Sequence, residues 1–388
     1  MNLRVAAILF HCIAVSSTAS AQVLVRPGDP AFSKVSEFFR EGFHPASGDA
    51  KLKCSLQQLH PRVTFNFRFF TGFFASMPVR QFVGREKNFI TLIMRVTPAD
   101  ASEAAYFLYR NDLPELPKDV GKSTFEFSGG FYTGLGRYRV DIALQDATDR
   151  TCIASWNASA NDRKIPIQLD NNQIAPLGYD SWRGMKNAGK TDGGRVTVFV
   201  HAIPLYYRRA LSKLGAFDRS TLLTSLTSLL DESKFSSARV VVFDLLGKRV
   251  LFQQDGFDRR GYRRLIEVLE RTDYGTVDFK TLQYGGTDST FIRNLVREEM
   301  NRKDQSEAIV FLGAEGRPAP KALPDLKEYH LPAMFYMGFT RFQIPMEDAM
   351  YQAVRSTKGK TLTIYRPVDL ANGIRSLVQT TSTGGGAP

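Results

Sequence analysis

The chain is poor in the residues from which metal and enzyme sites are most often built. Only three of its 388 residues are cysteine and five are histidine. No two histidines stand four apart as a helical ligand pair would, so a thiolate- or imidazole-bound metal is not expected. The short motifs of common chemistries are missing too: there is no Gly-x-Ser-x-Gly elbow, no Gly-x-x-x-x-Gly-Lys phosphate loop, no His-Glu-x-x-His and no dinucleotide fingerprint. No cofactor and no catalytic residue set is expected on that basis. Long apolar runs are also scarce. The one N-terminal stretch, Val5 to Val15, is about half of the roughly 20 residues a membrane-spanning helix needs.

That stretch follows Met1-Asn2-Leu3-Arg4 and precedes Ala19-Ser20-Ala21, so residues 1–21 read as a cleaved secretory signal. An uncleaved anchor is the competing reading. A lipoprotein is a weaker one, because Cys12 sits inside the apolar region rather than at its end. The expected destination is secreted or periplasmic, with no transmembrane segment after cleavage. In an oxidising compartment the two remaining cysteines, Cys54 and Cys152, favour a disulfide over two separate buried thiols. The formal charge of +12 points to anionic material. For an exported chain that means an acidic protein or an anionic cell-envelope component, not nucleic acid; the plainer alternative is that solvated arginines keep the chain soluble.

The length allows two or three domains. Residues 22–52 mix Pro, Gly and charge around one short amphipathic piece, Phe32 to Phe39, and read as an N-terminal arm. Residues 53–156 have an all-β texture. Val63, Phe65, Phe67 and Phe69 alternate with polar residues as in a strand with one buried face. Further strands are expected over Asn88–Val96, Ala105–Arg110, Ser123–Phe127, Gly136–Leu144 and Thr151–Trp156, which together suggest a β-sandwich. Gly136-Arg137-Tyr138-Arg139-Val140 resembles the tyrosine corner of immunoglobulin-like folds, with Val140 where antibody domains carry Cys. Residues 157–194 turn polar and read as a linker or crossover. Asn157-Ala158-Ser159 within them is formally a glycosylation acceptor.

From 195 to 379 strand and helix signals alternate. Strands are expected over Arg195–Val200, Arg239–Phe243 with a hairpin partner at Arg249–Phe252, Thr276–Leu282, Glu307–Leu312, Ala333–Met337 and Lys360–Tyr365. Helices are expected over Ser220–Leu230, Arg259–Arg271, Thr290–Arg302, Met346–Ser356 and Asp369–Val378. Such alternation predicts an α/β domain with a mostly parallel sheet covered on both faces. Residues 380–388, rich in Thr, Ser and Gly, are expected to be a disordered tail.

In open α/β sheets ligands bind beyond the carboxyl ends of the strands, which directs attention to the turns after Val200, Leu282 and Leu312. The order of elements, and Tyr284-Gly285-Gly286-Thr287-Asp288 above all, resembles a von Willebrand factor type A domain of the bacterial secreted kind, in which Gly-Gly-Thr delivers a threonine ligand to a divalent cation. The resemblance implies a multidomain chain: an N-terminal all-β immunoglobulin-like sandwich followed by a Rossmann-like von Willebrand factor A domain. It aligns Thr287 with the threonine ligand. It also places His201, Ile203 and Leu205 where the family has Asp-x-Ser-x-Ser, and Ala314 of Phe311-Leu312-Gly313-Ala314-Glu315-Gly316 where it has the Asp of Thr-Asp-Gly.

Magnesium needs octahedral oxygen ligands and calcium six to eight, so this set implies a degenerate adhesion site without a cation. Glu315, one residue along, is the single candidate to rescue it. Pro204 also biases Ile203 toward extended backbone, away from a curled ligand loop. Thr287 and Asp288 read equally well as helix caps. Tyr206-Tyr207-Arg208-Arg209 and Glu315 are the candidate partner-binding residues, being aromatic, cationic or acidic groups beside the altered turns. Arg259, Arg260, Arg263 and Arg264 share one helix face, as an anion contact or simply a solvated surface. The expected function is an exported, non-catalytic protein-interaction or adhesion module. The alternative is an exported hydrolase-like enzyme using His201 as general base with Asp244, Thr287 and Glu315 around it.

Overall fold

The computed structural model describes residues 22–44, 48–85, 88–101, 103–117, 120, 123–162, 173–177, 182, 184–185, 188, 194–205, 213–274, 287–319, 326, 331–340 and 346–383. The signal segment, the expected strand over Thr276–Leu282, and Tyr206, Tyr207, Arg208 and Arg209 lie outside them. The chain divides into two compact units. One is Met1–Val63 with Arg68–Asn161 and Leu169–Tyr179; the other is Thr64–Phe67 with Asp162–Gln168 and Asp180–Pro388.

In the first unit, β1 (Val23–Val25), β5 (Ala105–Asp112), β4 (Phe89–Pro98), β7 (Gly136–Asp146) and β8 (Thr151–Ala160) form a five-stranded sheet in that spatial order. A second sheet runs β2 (Ser55–Val63), β3 (Phe69–Pro78), β6 (Thr124–Thr133) and β9 (Ile174–Pro176). Side chains alternate between faces along a strand, and here each set finds its own core. Ile90, Leu92, Ile142 and Leu144 pack inward with Phe73, Ala75 and Met77 of β3. The intervening Ile93 and Ala143 point outward and are covered by Val35 of α1 (Phe32–Glu37) and by Phe39 just beyond it.

Cys54, immediately before β2, is disulfide-bonded to Cys152 in β8, with the two Cα atoms 6.2 Å apart. Both strands are sheet edges, so the bond fastens the edge of one sheet to the edge of the other. Tyr138 is buried, and its hydroxyl donates to the carbonyls of Gly134 (3.0 Å) and Leu135 (3.2 Å), the backward bond its motif suggested. One reading of this region is corrected. The alternating run Val63 to Phe69 is not one strand: β2 ends at Val63, β3 begins at Phe69, and Phe67 between them has φ 54, a turn geometry that breaks the alternation. The segments read as arm and linker supply strands, β1 pairing with β5 and β9 with β6.

The second unit is built on one six-stranded sheet. Its order is β12 (Arg249–Gln254), β11 (Ser237–Asp244), β10 (Arg195–His201), β13 (Ala308–Ala314), β14 (Ala333–Phe339), β15 (Lys360–Ile364). Phe199, Val241, Phe243, Ile309, Phe311, Met334 and Tyr336 share a core with Ile292, Leu295 and Val296 of α4 (Asp288–Met300) and with Met350, Ala353 and Val354 of α5 (Ala349–Ser356). The other helices are α2 (Ala216–Glu232), α3 (Arg259–Arg271) and α6 (Pro367–Thr383). Gly373 of α6 lies against Met337 of β14. Gly313, paired with His201, has φ +146, and a Cβ there would stand 2.4 Å from the His201 carbonyl oxygen; only glycine lets β13 lie this close to β10.

The fold class differs from the expected one. In place of an immunoglobulin-like sandwich leading to a Rossmann-like von Willebrand factor A domain with a mostly parallel sheet, the described residues form three sheets. Two are wholly antiparallel and one is mixed. The parallel pairs are confined to β11-β10-β13-β14-β15. The four residues Leu245–Lys248 between β11 and β12 are too few for a parallel crossover and force antiparallel pairing. The expected tail starts too early as well. α6 continues to Thr383, anchored by buried Leu377, and Thr380, Thr381 and Ser382 return their hydroxyls to helix carbonyls.

Candidate functional site

His201, Asp244 and Glu315, which sequence reasoning singled out, stand at or just beyond the carboxyl ends of β10, β11 and β13. His201 ends β10 and is fully buried. Its ring stacks on Phe243 of the neighbouring strand, with centroids 5.2 Å apart and planes at 17°. Its Nδ1 lies 2.7 Å from the carbonyl oxygen of Ala314. A carbonyl only accepts, so Nδ1 carries the proton and Nε2 holds a bare lone pair. That Nε2 is buried and has no hydrogen-bond partner among the described residues. Burial, opposed by the Ala314 bond, pulls the imidazole pKa down to about 4, so the ring is neutral at neutral pH.

The other positions aligned with cation ligands are occupied differently. Ile203 and Leu205 have no side-chain oxygen. The backbone N–H of Leu205 donates to Asp218 Oδ1 at 3.2 Å, tying this turn to the first turn of α2. Thr287 is the N-cap of α4, its Oγ1 accepting from Thr290 N–H at 3.1 Å. Ala314 is buried and contributes only its carbonyl to the arrangement. Among the described residues no three His, Cys, Asp or Glu side chains cluster as a metal-binding group. A hard cation needs several convergent oxygens, and one capping hydroxyl with a carbonyl already bonded to a histidine does not fit that demand.

Among the described residues, those of the enzymatic alternative make no hydrogen bond or ion pair with one another. Asp244 is buried and bonded to the N–H of Leu246 (2.9 Å) and paired with Arg249 (3.4 Å), leaving no bond to His201. Glu315 is half-buried; burial raises its carboxyl above the ordinary range, against hydrogen bonds from Thr340 and the Met346 backbone. A general base needs a free lone pair, an accessible proton to take and an orienting acceptor. His201 has the first, and its orienting acceptor is a peptide carbonyl rather than a carboxylate.

One cluster escaped the sequence reading. Asp348 is buried, and its Oδ2 accepts from Gly316 N–H (2.6 Å) and the Tyr336 hydroxyl (2.9 Å), while Oδ1 caps α5 at Tyr351 N–H (2.8 Å). It thereby fastens the turn after β13 to β14 and to α5. Burial pushes the Asp348 carboxyl up, and burial together with the Asp348 charge raises the Tyr336 hydroxyl. The available signal was an Asp directly before an apolar helical run; the reading began the helix at Met346 and so placed the cap inside it.

Neither a protein-family model nor a curated protein matches this chain.

Proposed function

We propose that the chain is an exported, non-catalytic protein-interaction or adhesion module, related at its strand-end turns to von Willebrand factor A proteins that have lost their divalent cation. The single observation that carries this reading is how the strand-end polar groups are used. His201 is locked to the Ala314 carbonyl, Thr287 caps α4, and Asp218 holds the Leu205 backbone. Groups committed to internal bonds do not reorganise around an ion or a reacting substrate without leaving buried partners unsatisfied, at a cost of about 1–3 kcal/mol each. The disulfide supports an oxidising destination, and among the described residues no helix is long and apolar enough to cross a membrane. The competing hydrolase reading has the unpartnered Nε2 of His201 in its favour and the commitment of Asp244 to Leu246 and Arg249 against it.

Thermal unfolding of the chain in calcium, in magnesium and in chelator tests the proposal, since a ligand at 100 times its Kd adds about 2.7 kcal/mol to the folded state. Coincident curves are expected. A cation-dependent rise in Tm, or hydrolysis of ester or phosphoester substrates abolished by His201→Ala, would overturn it.

A further inference from the structure

Several arginines of the second unit have acidic partners. Arg195, Arg239 and Arg302 converge on Asp255, Arg219 faces Glu270, Arg355 faces Glu347 and Arg366 faces Asp369. The row on α3 is different. Arg260, Arg263 and Arg264 are all exposed, and among the described residues none forms an ion pair. Exposed Arg271, Arg297 and Arg317 also form none, but Arg260, Arg263 and Arg264 stand together within two turns of one helix. Asp258 caps Gly261 N–H and accepts from Gln254, and those bonds, helped by the Arg260 charge, hold its carboxyl below the ordinary range without a direct ion pair. Glu267, one turn further along, pairs with none of them.

Arg264 is held in place by neutral groups: its guanidinium donates to Gln254 on β12 and lies 5.9 Å from the centre of the Phe252 ring. Beside it on the same edge strand, Val250 is 40% exposed. The surface thus combines exposed guanidinium groups that form no ion pair among the described residues with apolar side chains on an adjacent sheet edge, a composition typical of binding hot spots.

Resting on the reading of the chain as an interaction module, we propose that the outer face of α3 together with β12 is a docking surface for an acidic protein segment. Charge complementarity selects the carboxylates, because each forked guanidinium presents paired donors that suit a carboxylate. The apolar neighbours select a protein over other polyanions. A lipid surface is the poorer fit: Tyr262, Leu265 and Leu269, the apolar side of α3, are buried in the unit's own core and leave nothing to insert. A sulfated polysaccharide makes no use of Phe252 or Val250.

The test uses the full chain and a short fluorescein-labelled peptide rich in Asp and Glu and carrying one Phe, titrated by fluorescence anisotropy at low salt. Parallel arms contain phosphatidylglycerol vesicles and heparin. The expected result is saturable peptide binding, weakened about tenfold or more by Arg260→Gln with Arg263→Gln, unchanged by Lys358→Gln elsewhere, and weakened several-fold by Val250→Ser. Unchanged Tm in the arginine variant separates loss of binding from loss of fold. Peptide binding indifferent to the arginine variant would overturn the site and leave the interaction-module reading standing. No peptide binding, or stronger arginine-dependent binding to vesicles or heparin, would overturn the protein-segment assignment. Cation-dependent stabilisation, in contrast, strikes the module reading and not this surface.

Discussion

Replacing His201 by Phe tests the strand-end arrangement most directly, because it keeps an aromatic ring against Phe243 and removes both the Ala314 bond and the titration. At pH 7 the variant leaves the Ala314 carbonyl buried without its 2.7 Å partner, a loss of about 1–3 kcal/mol. The pH dependence runs the other way. In the unfolded chain the imidazole titrates near its ordinary value of about 6.5, whereas burial lowers it to about 4 in the folded state. The unfolded state therefore takes up a proton first as pH falls. The wild-type stability contributed by this group is complete above pH 6.5 and is lost between there and about 4. At 1.36 kcal/mol per unit the loss is about 3 kcal/mol. His201→Phe has no such group, so its deficit at pH 7 should shrink and reach zero or reverse near pH 4.

Urea unfolding followed by Trp fluorescence reads the second unit alone if Trp156, which lies in β8, is changed to Phe. The remaining Trp182 packs 5.6 Å from Phe257 and 5.7 Å from Tyr262. Comparing the two proteins at each pH cancels the carboxylates they share, including the raised Glu315 and Asp348, whose dependence has the opposite sign. A stability difference that stays constant within about 0.5 kcal/mol from pH 7 to pH 4 would refute the buried, neutral, Nδ1-protonated histidine.

Two further outcomes follow from particular contacts. Changing Cys54 and Cys152 to Ser opens a covalent loop with a sequence separation of 98, so the first unit should lose about 4 kcal/mol, read as a lower urea midpoint that reducing agent reproduces in the parent. Glu299→Ala should cost about 1–3 kcal/mol, since it strips the 3.1 Å partner from Arg239, itself 6% exposed and left with Asp255 at 3.0 Å, and the 2.6 Å acceptor from Thr197. Adding Arg239→Met should restore much of that loss, and a double variant no better than the single one would count against a buried charge as the cause.

How far the chain could be read beforehand depended on whether a feature is written locally. The bounds of α3 follow from apolar spacing and an Asp258 cap, and the expected Arg259–Arg271 is what forms. The apolar runs of β10, β11 and β13 announce strands buried on both faces. Partner choice between strands is not local, and there the reading failed. Nothing in Val23–Val25 or Ile174–Pro176 tells that they join β5 and β6, and the Phe alternation through Val63–Phe69 imitates a strand where the backbone turns at Phe67. At the candidate site, burial of His201 was invisible because a strand-end position is compatible with solvent or core. Asp348 was passed over because its three donors come from residues 3, 12 and 32 positions away.

Restoring oxygen side chains would not by itself recreate an ion site. Ser at 203 and 205 would supply hydroxyls, and Asp at 314 a carboxylate, yet His201 would still fill the centre of the turn with a ring stacked on Phe243 and bonded to the 314 carbonyl. Gly313 compounds this, because the β13 backbone lies so close to the His201 carbonyl that a Cβ there would stand 2.4 Å from its oxygen. The turn is thus held by packing and backbone geometry as well as by composition. On the proposed reading a partner meets Arg260, Arg263 and Arg264, which are exposed and form no ion pair among the described residues, and not the buried strand ends.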